Sequence, residues 1–279
     1  MERIVAIITP KEKNRWTNEY LISLTDLYRL VSYLNVFGFF DILFLGNTGE
    51  GSKLNIKEAR KILEFAEEYK YIMKKKNREG KVIINITRNK KQEVLEVMKN
   101  SEWCDFFMIN KKELSYKDLF YIITKAKKPV IYYLTIKDNY YDENLLRKLL
   151  KEENVVGVKD SLKDNYRERK KIIEDSGRIY YFGRDLNFLK EKKGNLISGT
   201  LQLFPELWKK ERYDIIEKIV KKIEEKEKFI EFPKICKYML SETPPFIPLV
   251  KNHDIRKEEI EMLRDLKEYY INLKKKYKF

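Results

Sequence analysis

The chain has 279 residues, enough for one large α/β domain or two small ones with a sizeable buried core. Hydrophobic residues at 43% and aromatics at 13% indicate a globular protein. No run approaches the apolar length of a membrane span, and Met1-Glu2-Arg3 leads straight into a short strand; a cytoplasmic protein with no membrane partner is expected. The net charge of +15 comes from 59 Lys+Arg against 44 Asp+Glu, but lysines alternate with glutamates, as in Lys221-Lys222-Ile223-Glu224-Glu225-Lys226; a solvated surface, not a nucleic-acid partner, is the expectation.

Short apolar runs alternate with longer amphipathic ones along the first two thirds of the chain. Ile4 to Ile8 reads as a strand followed by a helix around Asn18 to Val36, and Asp41 to Leu45 as a strand followed by a helix from Ile56 to Met73. Asn55 is placed to cap that second helix, with Glu58 three residues later completing a capping box. The same period continues through strands at Val82 to Ile86, Phe106 to Ile109 and Val130 to Leu134, with helices at Lys91 to Lys99, Tyr116 to Ala126 and Glu143 to Lys151. Val155 to Lys159, Ile179 to Phe182 and Leu196 to Ser198 complete the set, with helices at Asn165 to Glu174, at Leu186 to Lys192 and from about Pro205.

Eight βα periods are the number that closes a parallel (β/α)8, or TIM, barrel; a doubly wound sheet has similar local periods. The pattern changes from Arg212 onward. Two long helices, about Tyr213 to Leu240 and Lys257 to Lys275, flank a Pro-rich connector from Pro244 to Leu249. The expected organisation is a barrel over residues 1–210 and a C-terminal helical region over residues 211–279 packed on it.

In such a barrel the chemistry sits where the strands end, so the residues closing each run are the ones to weigh. The sixth run, Val155-Val156-Gly157-Val158-Lys159-Asp160-Ser161, delivers a lysine at the end of an apolar strand. Desolvation favours a neutral amine over an ammonium, and a neutral amine attacks carbonyls to form a Schiff base; alternatively, Lys159 marks where the strand surfaces. The second run ends in Gly46-Asn47-Thr48-Gly49-Glu50, whose amides and hydroxyl suit a carboxylate, though it is also ordinary turn chemistry. The fifth ends in Tyr132-Tyr133, of which only one can face the lumen, as a proton shuttle or a core tyrosine. Gly183-Arg184-Asp185 offers a carboxylate for substrate hydroxyls or a helix cap, and Ser198-Gly199-Thr200 is small enough for a substrate to approach the backbone. Cys104, Cys236 and the single His253 cannot assemble a His/Cys zinc site, so no metal is expected.

Taken in order and spacing, Gly46-Asn47-Thr48-Gly49-Glu50, the Tyr133 strand, Gly157-Val158-Lys159-Asp160 and Leu196-Ile197-Ser198-Gly199-Thr200 resemble the signatures of the dihydrodipicolinate synthase/N-acetylneuraminate lyase superfamily. Ile7-Ile8-Thr9-Pro10 is similar to that superfamily's first strand, and Pro244 to Leu249 to a C-terminal motif of its archaeal 2-keto-3-deoxygluconate aldolase branch. The resemblance implies a cofactor-free class I aldolase that cleaves a 2-keto-3-deoxy sugar acid, such as 2-keto-3-deoxygluconate or its 6-phosphate, to pyruvate and an aldehyde. It assigns the Schiff base to Lys159, proton transfer to Tyr133, the pyruvate carboxylate to Asn47 and Thr48, and substrate hydroxyls to Ser161, Gly183, Asp185 and Ser198. It also implies a homotetramer.

The chain departs from the pattern at three motifs: Asn47 stands where the family has Thr or Ser, Leu134-Thr135-Ile136 replaces Asn-x-Pro, and Asn110-Lys111-Lys112 replaces a Pro-Tyr-Tyr; the helix after Asp185 is also about a turn short. No arginine follows Tyr133 as in dihydrodipicolinate synthases, which argues against that activity. Two alternatives accompany the aldolase reading: another pyruvate-dependent lyase or synthase, and a non-catalytic relative that serves in binding or assembly. Lys111, Lys112 and Arg184 would favour an anionic substrate if they faced it, although lysines near any site are expected at this charge density.

Overall fold

A computed structural model describes residues 1–14, 17, 19–135, 141–242 and 255–278. In chain order it begins with β1 (Arg3–Ala6), β2 (Lys11–Lys13), β3 (Tyr20–Ile22) and α1 (Leu24–Val36). Strands and helices then alternate: β4 (Ile42–Phe44), α2 (Ile56–Lys75), β5 (Val82–Asn85), α3 (Lys91–Lys99), β6 (Phe106–Ile109), α4 (Tyr116–Lys125), β7 (Val130–Leu134) and α5 (Glu143–Leu149). The alternation continues through β8 (Val155–Asp160), α6 (Tyr166–Asp175), β9 (Ile179–Phe182), α7 (Asp185–Glu191), β10 (Asn195–Ser198) and α8 (Pro205–Lys209). Three further helices follow, α9 (Tyr213–Lys226), α10 (Phe232–Glu242) and α11 (Lys257–Tyr277).

Eight parallel strands close on themselves in the order β1-β10-β9-β8-β7-β6-β5-β4, each followed by a helix, so the fold is the (β/α)8 barrel. The capping box at Asn55 and Glu58 is present as expected. Two helix boundaries differ from expectation. The helix expected from Asn18 starts at Leu24, capped by Ser23, because the preceding residues pair as an antiparallel β2–β3 hairpin. The helix expected from Tyr213 to Leu240 is two helices, broken ahead of Phe232-Pro233. Proline lacks an N–H and its ring clashes with the preceding turn, so it is admitted at the start of α10 and not in the interior of one long helix. The Pro244 to Leu249 connector, Ile136 and His253 lie outside the described residues. No helix among the described residues is long and apolar enough to cross a membrane.

Strand side chains divide by parity into two apolar layers. The lumen holds Ile4, Ala6, Leu43, Ile83, Met108, Ile131, Tyr133, Tyr181 and Ile197, and the opposite faces pack into the helical shell. The floor of the lumen is polar and closed: Tyr181 donates to Glu2 Oε2 at 3.0 Å, and Glu2 pairs with Lys81.

Parity is interrupted once, in β8. Val130 pairs with Val155 but Ile131 pairs with Gly157, so Val156 is an extra residue, a β-bulge. Val155 faces the shell, and beyond the bulge Val158 faces the shell while Lys159, opposite Tyr133, faces the lumen. Gly157 suits this position because a Cβ there would stand 2.9 Å from the Tyr181 ring.

Asp160 takes the outward position next to Lys159 and is 1% exposed. It accepts from Arg169 Nε at 2.8 Å and Nη2 at 3.3 Å, from the Leu162 N–H at 2.9 Å and from Tyr180 OH at 3.0 Å. Burial pushes its carboxyl above the usual range, and Arg169 pulls it back. A buried charge left without its partner costs about 3–5 kcal/mol. Arg169→Ala is therefore expected to lower stability by about that amount in urea titration, whereas Asp160→Asn with Arg169→Met, which removes both charges, should recover most of the loss.

Candidate active site

All eight residues singled out in the sequence line one cavity of about 480 Å³ at the C-terminal ends of the strands. Lys159 and Tyr133 are in register on adjacent strands, and Lys159 Nζ lies 4.4 Å from the centroid of the Tyr133 ring. Lys159 is 6% exposed, and among the described residues no carboxylate is within ion-pair distance of it. Tyr132, as alternation requires, faces the helical shell.

Asn47 and Thr48 are carried by a tight loop after β4. Leu45 and Glu50 have φ of 56° and 52°, a left-handed conformation that costs a non-glycine residue on the order of 1 kcal/mol. The loop is held by Gly51 N–H to Gly46 O at 3.1 Å, Glu50 N–H to Asn47 O at 3.0 Å and Asn85 Nδ2 to Leu45 O at 3.0 Å. Gly51 is obligatory, since a Cβ there would overlap Leu45 O at 1.9 Å. Glu50 also ties the loop to α10 by accepting from the buried Lys237 Nζ at 2.9 Å. Burial works against its ionisation, but Lys237 and Lys53 more than offset that and hold its carboxyl below the usual range.

The rest of the rim is built by close approaches. A Cβ at Gly183 would meet Ser161 Oγ at 2.2 Å, so glycine lets that hydroxyl sit against the end of β9. Gly199 is filled from above rather than left open to a substrate: a Cβ there would stand 2.6 Å from Phe232 and 2.9 Å from Thr48 Oγ1. Ser198 Oγ accepts from Thr200 N–H at 3.0 Å and lies 3.2 Å from Thr200 Oγ1. Asp185 opens α7; it is half-buried as a residue, but its Oδ1 is sealed from solvent and has no hydrogen-bond partner. Burial pushes its carboxyl up to about 6, against the pull of the Ser198 and Thr200 hydroxyls, with Glu224 pushing it further and Lys159 opposing.

The cavity has a wall that the sequence reading did not assign, formed by Glu224 and Glu227 of α9 and its C-terminal end, with Glu231, Phe232 and Pro233 beyond the helix break. Pro233 was the available signal, because a helix that must end before it turns its last residues toward the barrel mouth. Of the three cations named as anion-binding candidates, only Arg184 lines this cavity, and its Nη2 is bonded to Glu224 Oε2. Lys111 and Lys112 line a second cavity of about 350 Å³ with Tyr132, Leu134 and Asp142. Of the three departures, Asn47 and, from the second, Thr135 line the Lys159 cavity. Leu134 packs into the shell, and Asn110 is buried at the end of β6, its N–H donating to Thr87 Oγ1 at 3.0 Å. Both cysteines are buried free thiols, with Cys104 pushed up to about 12 by burial.

No protein-family model matches the chain, and no curated protein matches it in sequence. Solved structures match in fold. A Ruminococcus gnavus sialic acid aldolase superposes with a TM-score of 0.78 at 17% identity, over 99% of this chain and 98% of that one. A catalytic lysine mutant of that aldolase gives 0.70 at 18%, over 95% and 96%. A variant of the Sulfolobus solfataricus 2-keto-3-deoxygluconate aldolase gives 0.76 at 15%, over 100% and 99%. The Aquifex aeolicus dihydrodipicolinate synthase gives 0.77 at 19%, over 96% and 97%.

The raised Asp185 carboxyl has a stability consequence with a definite sign. Its folded state favours the protonated form, so the cost of ionising it is absent near pH 4, grows as pH rises toward 6 and is complete above that. Asp185→Asn is expected to stabilise the protein at pH 7.5 by on the order of 2 kcal/mol relative to the parent. Thermal melts of the two proteins across pH should show that difference shrinking to nothing near pH 4.

Proposed function

We propose that this protein is a class I, pyruvate-forming aldolase that cleaves a 2-keto-3-deoxy acid through a Schiff base on Lys159. The observation that carries this reading is the placement of a buried lysine amine against Tyr133 in a cavity that also holds Thr48, Ser161, Asp185 and Ser198. An unpaired amine in an apolar lumen is a costly group to keep unless it reacts. The fold shared with aldolases, one of them known as a catalytic lysine mutant, supports the same chemistry.

Lys159 Nζ attacks the C2 carbonyl and water leaves, giving a protonated imine. The C4 hydroxyl passes its proton to the Tyr133 oxygen as that phenol gives its own to the keto acid's carboxylate or a bound water, the C3–C4 bond breaks, and its electron pair passes into the imine to leave an enamine and an aldehyde. Protonation at C3 and hydrolysis of the imine release pyruvate and restore the amine. Asn47, Thr48 and the loop amides hold the carboxylate of the keto acid, and Ser161, Asp185 and Ser198 meet hydroxyls farther along. 2-Keto-3-deoxygluconate suits this arrangement better than its 6-phosphate, because Arg184, the one cation among the described residues of the far wall, is already bonded to Glu224. Asn47 keeps a hydrogen-bonding group at the loop but no hydroxyl, which is the observation that favours a non-catalytic binder instead.

Incubation with pyruvate and borohydride separates the two readings. Intact-mass measurement should show one reduced pyruvate adduct on the parent and none on Lys159→Ala; a parent without the adduct would exclude the aldolase. Tyr133→Phe should still be trapped by pyruvate, but its turnover with 2-keto-3-deoxygluconate should fall by about 10²- to 10⁴-fold.

A further inference from the structure

The charge of the cavity's far wall is unbalanced. Glu224 is bonded to Arg184, and Glu231 Oε2 takes Lys53 Nζ at 2.9 Å. Asp185 and Glu227 remain, and among the described residues neither has an ion-pair partner. Both line the same cavity, Glu227 exposed and Asp185 half-buried beside the Ser198 and Thr200 hydroxyls. Glu227 stands at the mouth with its outer side open to water. Desolvation leads in pushing its carboxyl above the usual range, followed by Glu224 and Asp185, with Arg184 opposing; the open side tempers that push. A carboxyl pair in this state is relieved by a proton, by a hydrogen-bond donor or, best of all, by a cation.

We propose that the acceptor end of this cavity is selective for a cationic, amino-bearing aldehyde, whose ammonium sits between Asp185 and Glu227, and that it rejects a phosphorylated one. Neutral hydroxyaldehydes rank between the two, because a hydroxyl can donate to either carboxyl without neutralising the charge. The substrate class in the cleavage direction is then a 2-keto-3-deoxy acid carrying an amine on its distal portion. This inference rests on the aldolase reading of Lys159. It differs from a simple hydroxyl-binding site in making Glu227, on the appended helix, the residue that sets charge preference.

The test uses the full chain with pyruvate and three matched aldehydes: 3-aminopropanal, 3-hydroxypropanal and 3-hydroxypropanal phosphate. The expected kcat/KM order is amine over hydroxyl by about tenfold and hydroxyl over phosphate by at least as much. Glu227→Gln should shrink the amine-to-hydroxyl ratio toward one. Glu227→Lys, at an exposed position where folding is not at risk, should shift preference toward the phosphate. Ratios within one protein are read, so a change in overall rate does not enter. Pyruvate–borohydride trapping is run alongside. An adduct together with parity among the aldehydes, or with preference for the phosphate, overturns this proposal alone, and absence of the adduct removes the aldolase reading and this proposal with it.

Discussion

A side chain near the end of a barrel strand reaches the lumen or the helical shell according to the parity of its position, and in β8 that parity is reset at Val156. Val155 faces the shell; without the extra residue Gly157 and Lys159 would share that face, and the lysine would be packed among helix side chains. With the bulge, Lys159 turns inward beside Tyr133 and Asp160 turns outward to Arg169. The site therefore depends on a backbone irregularity of one residue, tolerated because Gly157 leaves room for the Tyr181 ring beneath it.

The two polar residues at this strand end are handled in opposite ways. Asp160 is fully satisfied by a guanidinium, a backbone N–H and a phenol, and so clamps β8 to α6 and β9. Lys159 is given an aromatic face and a carboxylate at longer range, an environment that holds the amine in place without consuming it. The loop carrying Thr48 follows the same division: the backbone is forced into two left-handed turns and locked by hydrogen bonds and the Lys237–Glu50 bridge, while the side chains of Asn47 and Thr48 face the cavity. Rigidity is concentrated in groups that do not line the cavity.

Much of this was legible in the residues. The eight strands follow from apolar runs at a steady interval, and the eight residues at or near their ends converge on one cavity because strand ends in a barrel have nowhere else to converge. The β2–β3 hairpin was hidden because Tyr20, Leu21 and Ile22 suit a helix as well as a strand, and only pairing with Lys11 to Lys13 decides between them. The bulge was hidden for a different reason: Val155-Val156-Gly157-Val158 is apolar on both faces, so no alternation records where parity changes. The glutamates of α9 lay in a helix whose polar residues read as solvated, and only the break ahead of Phe232-Pro233 brings Glu224 and Glu227 to the barrel mouth.

The appended helices thus do more than cover the barrel. In a protein whose net charge is +15, the lysines are spread over the outer helix faces, yet the cavity wall contributed from the C-terminal side of the chain is acidic. Local geometry outweighs net charge at this distance, because exposed charges are screened over about 10 Å whereas carboxylates lining a partly closed cavity are screened less. A ligand approaching from solution meets a basic exterior that attracts anions, and then an interior wall in which Arg184, the only lining arginine among the described residues, is already engaged by Glu224. On the proposed aldolase reading, the keto-acid end finds its donors at the Thr48 loop and the amine of Lys159, and the opposite end meets the carboxyls of Asp185 and Glu227, which among the described residues have no ion-pair partner.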